Sequence, residues 1–218
     1  MVVGAHTPGG AAGVVRRITA SGGHAIGLNF DATDEGSIEA LIRAAVDAYG
    51  GLDAMFVNFA DLTLHPRDTD AVETPLEVFD RAMAVNLRGH LLCTRHAIPA
   101  MLKRGGGAIV YSSSSAAFMG RGIRMSYAVT KYALTALMRH VASRWGKEGI
   151  RANAVAPGLV LSEKNRAHPE LKSVLAITRS TRLGEPEDVA AMVAMLMSAD
   201  GAWINGQVVC VDGGVTMR

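Results

Sequence analysis

Short β-rich stretches alternate along the chain with longer stretches of helical pattern, and this alternation leaves few ways to bury both. Strands are expected at 24–30, 53–58, 108–111, 150–155 and 207–211, and helices at 11–20, 35–49, 76–102, 126–145 and 187–197. Strands joined through helices run parallel, and a parallel sheet needs helices over both faces, so the expected architecture is α/β in three layers. Gly22-Gly23, Gly50-Gly51 and Gly105-Gly106-Gly107 end three of the helices, where left-handed backbone suits glycine. Pro75 and Pro186 suit helix starts. No repeat or low-complexity linker appears, and 218 residues fit a single domain over 1–218 with a sizeable core.

Composition narrows the function classes. With 49% hydrophobic and 19% charged residues the chain is globular, and a net charge of +2 spread along the sequence gives no case for nucleic acid. The local basic excess at 163–182, where Lys164, Arg166, Lys172, Arg179 and Arg182 outnumber Glu163 and Glu170, reads first as a solvated loop and helix face. Cys93 and Cys210 suggest neither a disulfide framework nor zinc, which fits a reducing cytoplasm. The N-terminus has no signal-peptide pattern, and the longest apolar run, 189–197, is too short to span a bilayer, so no membrane role is expected. His90 and His96 lack the spacing of a helical metal pair.

Chemistry is concentrated near one helix. Tyr127 and Lys131 stand four residues apart, one face of a helix, and Ser114 lies 13 residues upstream at the end of an apolar strand. A tyrosine beside a lysine is ordinarily a ring resting on an aliphatic stem. With the serine in place, the trio reads as a proton-transfer set. A free phenol titrates near pH ~10, and a neighbouring cation favours its phenolate. Bringing it to neutrality takes about 4 kcal/mol of differential stabilisation. Ligands of open parallel sheets sit beyond the carboxyl ends of the strands, where Asp31, Asn58, Ser114 and Pro157 fall.

Several motifs agree in order and spacing with one family. Asp31-Ala32-Thr33-Asp34 resembles an Asp-x-x-Asp after a third strand, and Asn58-Phe59-Ala60-Asp61 stands where Asn-Asn-Ala-Gly follows a fourth. Asn86 lies in Val85-Asn86-Leu87-Arg88-Gly89. Ser114 and the Tyr127/Lys131 pair follow, then Asn153-Ala154-Val155-Ala156-Pro157-Gly158 and Val211-Asp212-Gly213-Gly214. From about residue 2 to its end the chain resembles the short-chain dehydrogenases/reductases. The resemblance implies a Rossmann-like doubly wound parallel sheet and NAD(P)-dependent interconversion of a secondary alcohol and a ketone. Ser114 is then expected to hold the substrate oxygen, Tyr127 to exchange its proton, Lys131 to lower the phenol's pKa and hold the nicotinamide ribose, and Asn86 to support a proton relay. Asp31, Ala32, Asn58 and Ala60 are expected along the nucleotide, and Pro157, Gly158 and Val160 beside the nicotinamide. A homodimer or homotetramer through helices 76–102 and 126–145 is also implied.

One departure alters the N-terminal half. The family's Thr-Gly-x-x-x-Gly-x-Gly between a first strand and first helix is absent, and Val2-Val3-Gly4-Ala5-His6 aligns with the second strand. Either the chain is a truncated reading of a longer protein, or Val2-Val3 shifts into the central slot of the sheet. In the second case the loop from Gly4 to Gly10 replaces the phosphate loop, and Pro8 removes a donor from it. Phe59 and Asp61 replace an asparagine and a glycine beside the cofactor. No acidic residue follows Val2-Val3 to bind a ribose 2′-hydroxyl, and His6 is placed to approach a 2′-phosphate, so of NADP and NAD the former is favoured. The alternative function is a non-redox protein on the same scaffold, either a binding or regulatory partner or a lyase or isomerase.

Overall fold

The computed structural model describes residues 1–163, 166 and 171–217. In chain order the elements are β1 (Val2–Ala5), α1 (Ala12–Ala20), β2 (Ile26–Asn29), α2 (Glu35–Tyr49), β3 (Ala54–Val57), α3 (Leu76–Ala82), α4 (Gly89–Leu102), β4 (Gly107–Ser112), α5 (Met125–Trp145), β5 (Ile150–Pro157), α6 (Leu171–Ile177), α7 (Pro186–Met197) and β6 (Val208–Val211). Every strand pairing is parallel. This is the expected Rossmann-like alternation of strand and helix.

The strands form two sheets, β1-β2 and β3-β4-β5-β6. The expectation that Val2-Val3 could take the central slot is therefore corrected, because β1 is hydrogen-bonded to β2 and not to β3. Helix packing explains its place. A Cβ on Gly4 would lie 3.1 Å from the side chain of Leu41, so β1 is seated directly under α2. Helix α2 in turn packs along α4. One core thus spans both sheets, joining Phe30, Ile38 and Ile42 to Val57, Leu92, Ala97, Met101 and Ile109. On the opposite face Val193 and Leu196 of α7 cover Val110 and Val155, whereas α1 buries none of its residues.

The single helix expected over 76–102 is broken. Between α3 and α4 lies a π-helical segment, Met83–Arg88, which holds Asn86 with 1% of its surface exposed. Such wide turns are rare and frequent at functional sites. Gly89 follows because Ala32 passes too closely for a side chain: a Cβ there would lie 2.7 Å from the Ala32 carbonyl oxygen. Helix α6 has too short a pattern for its sequence to announce it. The basic excess falls partly on this segment, with Lys164 and Glu170 outside the described residues. No described helix is long and apolar enough to cross a membrane.

Because Ile38 is fully buried in the core shared by the two sheets, Ile38→Ala is expected to cost about 2–5 kcal/mol. Val72, 86% exposed, provides the control; Val72→Ala should stay within about 0.5 kcal/mol. Urea denaturation of both variants measures the difference.

Candidate active site

The ends of β3 and β4 and the first turns of α5 meet around one amine. Lys131 is 3% exposed, and its Nζ donates to the Ser112 carbonyl at 2.6 Å and the Phe59 carbonyl at 3.3 Å. An ammonium carries three donors, so one remains available beyond these two carbonyls. The amine lies 5.8 Å from the centroid of the Tyr127 ring. Burial pushes Lys131 down to about 7.

Tyr127 stands in the first turn of α5. Its phenol is raised by burial, against which the Ser114 hydroxyl and the charge of Arg124 work in the opposite direction. The expected depression of the phenol by Lys131 is therefore corrected for the protein by itself: desolvation dominates and favours the neutral phenol. The two adjacent serines have separate jobs. Ser113 turns inward and donates to the Lys131 backbone carbonyl at 2.8 Å, fastening α5 to the end of β4. Ser114 has extended backbone and accepts from the Ala116 N–H at 3.2 Å.

Asn86 approaches the same region from the π-helical segment. Its Oδ1 accepts from the Asp61 N–H at 2.8 Å, while its buried Nδ2 has no partner among the described residues. Phe59, whose carbonyl receives Lys131, packs its ring on Phe30 at 5.3 Å and on the buried His90 at 4.2 Å. His90 is driven well below its ordinary pKa by burial, with the Lys131 charge adding to the effect. His96 instead pairs with Glu35 at 3.1 Å. Among the described residues no group of three or more His, Cys, Asp or Glu side chains could hold a metal.

The other expected residues line the strand ends. Asp31 follows β2 and accepts from the Thr33 N–H and hydroxyl, both at 2.8 Å; these bonds lower its pKa, with smaller contributions from His6 and Arg81. Ala32 is buried beside Gly89, Asn58 is exposed at the end of β3, and Ala60 is half-buried. Asp61 is desolvated, yet its pKa is lowered by Thr63 and by Arg81, whose Nε lies 3.1 Å from Oδ2. Its carboxylate is thus compensated within the protein. Pro157 ends β5, and Gly158 lies so near the next strand's exit that a Cβ would stand 2.9 Å from the Asp212 Cα. Val160 forms an isolated parallel bridge with Gly184.

Two neighbours of Tyr127 escaped the sequence reading. The ring of His65 meets that of Tyr127 edge-on, with centroids 5.0 Å apart and an interplanar angle of 84°. Asp68, 3% exposed, accepts from the Tyr127 N–H at 2.8 Å. Both come from the segment after β3, some 60 residues away in sequence, and no local pattern links them to α5.

Similar proteins share this arrangement of elements. A family model described as enoyl-(acyl carrier protein) reductase matches residues 2–216. A probable short-chain type dehydrogenase/reductase of Bradyrhizobium diazoefficiens is 45% identical over 185 residues, covering 84% of this chain and 66% of the relative. The 7alpha-hydroxysteroid dehydrogenase of Bacteroides fragilis is 35% identical over 192 residues, covering 87% and 74%. Among solved structures, a 7 alpha-hydroxysteroid dehydrogenase complexed with NADH and 7-oxo glycochenodeoxycholic acid superposes with a TM-score of 0.89 at 31% identity, over 98% of this chain and 83% of that one. A blue fluorescent protein from a metagenomic library, in complex with NADPH, gives 0.88 at 26% identity, over 99% and 87%. A match that runs almost from end to end, on relatives this similar, leaves one conclusion about descent: the chain belongs to the short-chain dehydrogenase/reductase family.

Proposed function

We propose that the protein is an NAD(P)-dependent oxidoreductase interconverting a secondary alcohol and a ketone. The observation that carries this reading is the buried amine of Lys131, held by the Ser112 and Phe59 carbonyls and 5.8 Å from the centroid of the Tyr127 ring. Ser114 orients the substrate oxygen. Tyr127 gives its proton to that oxygen as a ketone is reduced and takes it back in the reverse direction. Lys131, when protonated, stabilises the negative charge left on the phenol, and its third donor then suits a ribose hydroxyl. Asn86 Nδ2, buried and unpaired, suits a water that passes the proton outward. The nicotinamide, when bound, supplies or accepts the hydride.

The same geometry supports a dinucleotide along the strand ends. Pro157, Gly158 and Val160 are the residues for the nicotinamide end, and Asn58 and Ala60 for the middle. Asp31 and Ala32 serve the adenine end. The β1–α1 loop is assigned to that end, with His6 as the group for a 2′-phosphate, and with it a preference for NADP. The substrate is a small-molecule alcohol or ketone, received by the segment after Gly158. Exposed Leu91 on α4 and Val129 and Tyr132 on α5 support a homodimer or homotetramer through these helices. Both cysteines are free, in keeping with a cytoplasmic protein.

Titration with NADPH and NADH, followed by quenching of protein fluorescence or by calorimetry, should show binding of both, tighter for NADPH. Absence of binding at millimolar concentration would overturn the redox reading. Tyr127→Phe should retain dinucleotide binding and lose about 10²–10⁴-fold in turnover, measured as NAD(P)H absorbance with a panel of ketones.

Lys131 also predicts a pH dependence of stability. Its amine titrates at about 7 in the fold and near ~10.4 in the unfolded chain. Between those values the unfolded chain binds the extra proton, so this group makes stability rise with pH, by up to about 1.4 kcal/mol per unit. In the Lys131→Met variant that contribution should vanish, and urea denaturation at pH 7.5 and 9 measures the change in slope.

A further inference from the structure

Helix α5 begins without a cap of its own. Arg124, just before Met125, has φ of 61°, the only left-handed backbone at a non-glycine residue among those described, and its side chain caps nothing. The N–H groups left open at a helix start need partners, and here all of them come from residues 68 and 69. The Asp68 carbonyl receives Arg124 N–H at 2.9 Å, and the Thr69 carbonyl receives Met125 N–H at 3.2 Å. The Asp68 carboxylate then takes the next two in turn, Ser126 N–H on Oδ1 at 2.9 Å and Tyr127 N–H on Oδ2 at 2.8 Å. No lysine or arginine forms an ion pair with this carboxylate among the described residues, and burying it without strong hydrogen bonds would be costly. Its bonds to α5 are what offset that cost.

The holding segment is itself ordered. Asp68 N–H donates to the Leu64 carbonyl at 3.0 Å, Thr69 N–H to Thr74 Oγ1 at 3.0 Å, and Asp70 Oδ1 receives the N–H groups of Val72 and Glu73 at 2.9 Å each. The same segment brings His65 against the Tyr127 ring. Tyr127 is therefore gripped by its backbone and by its ring from one loop.

We propose that Asp68 is a positioning residue for Tyr127: by clamping the first turn of α5 it sets where the phenol stands relative to Ser114. Asp68 is 3% exposed and acts through the backbone of Tyr127. The inference rests on the oxidoreductase reading for its catalytic consequence and on the hydrogen bonds alone for its geometry. Helix ends fray, and a displacement of about 1 Å at a reacting group can cost about 100-fold in rate.

The test compares Asp68→Asn, which keeps the shape but sets an NH2 group against one N–H, with Asp68→Ala. Three quantities are measured: the thermal midpoint, kcat and KM well below that midpoint, and the NMR resonance of the Tyr127 ring carbon bearing the hydroxyl. That resonance is assigned by its loss in Tyr127→Phe. Asp68→Ala should lower kcat about 100-fold and Asp68→Asn about tenfold, with KM for the dinucleotide changed less than about twofold, and the ring-carbon resonance should move in both. A lowered midpoint with kcat and the resonance both at their wild-type values would make Asp68 a helix cap and nothing more, overturning the proposal. The resonance needs no turnover, so if the wild-type protein reduced no ketone the redox reading would fail separately. An unmoved resonance in both variants would then still overturn the positioning role.

Discussion

Everything around the site depends on a buried amine held by backbone carbonyls. At the carboxyl ends of parallel strands the last C=O groups have no ladder partner, and such groups rarely stay buried alone. Lys131 occupies the place where two of these ends converge, with its Nζ on the carbonyls of Ser112 and Phe59. The arrangement satisfies the strand ends, draws α5 against them and carries Tyr127 to the carboxyl ends of β3 and β4. The Ser113 hydroxyl closes the attachment by bonding back to the Lys131 carbonyl. The cost is desolvation, visible in the low pKa of the amine. A group so placed is ready to respond to charge that develops on its neighbour.

Around this anchor the protein solves an unusual assembly problem. Its strands form two parallel sheets, and β1 and β3 are not joined by a ladder. Continuity comes from the helical layer, where α2 against α4 carries one hydrophobic core across both. Asp31 and Ala32, proposed for the nucleotide, belong to the first unit, and Asn58 to Ala60 to the second. Arg81 spans the division electrostatically: it pairs with Asp61 and lowers Asp31 as well. Asp61, unfavourable beside a phosphate when read in isolation, is therefore partly neutralised before any ligand arrives.

The parts legible in the sequence are those governed by local spacing. Period and punctuation located β3 to β6, α2 and α5 to within a few residues, because glycine readily takes the left-handed backbone that ends a helix and proline suits a helix start. Spacing of four put Tyr127 and Lys131 on one face of α5. Other features were not legible, for physical reasons. The π-helical turn at Asn86 changes no residue type that a helical pattern reads. The direction of the Tyr127 shift depends on how much protein encloses the ring and not on how near Lys131 stands in sequence. His65 and Asp68 reach α5 from the far side of the fold.

By itself, the sequence determined the alternation of strands and helices, the parallel pairing that follows from it, and the candidate set of residues for proton transfer. Each of these rests on side-chain chemistry or on contacts within a few residues, where the chain has little choice. Tertiary structure alone decided that β1 stays with β2, that the Ser113 hydroxyl turns inward to the Lys131 carbonyl, and that Asp68 supplies the start of α5. Those outcomes depend on which groups lose water together and which orphaned backbone groups lie within hydrogen-bond reach. Distance in space settles both, and the linear order of residues does not contain it.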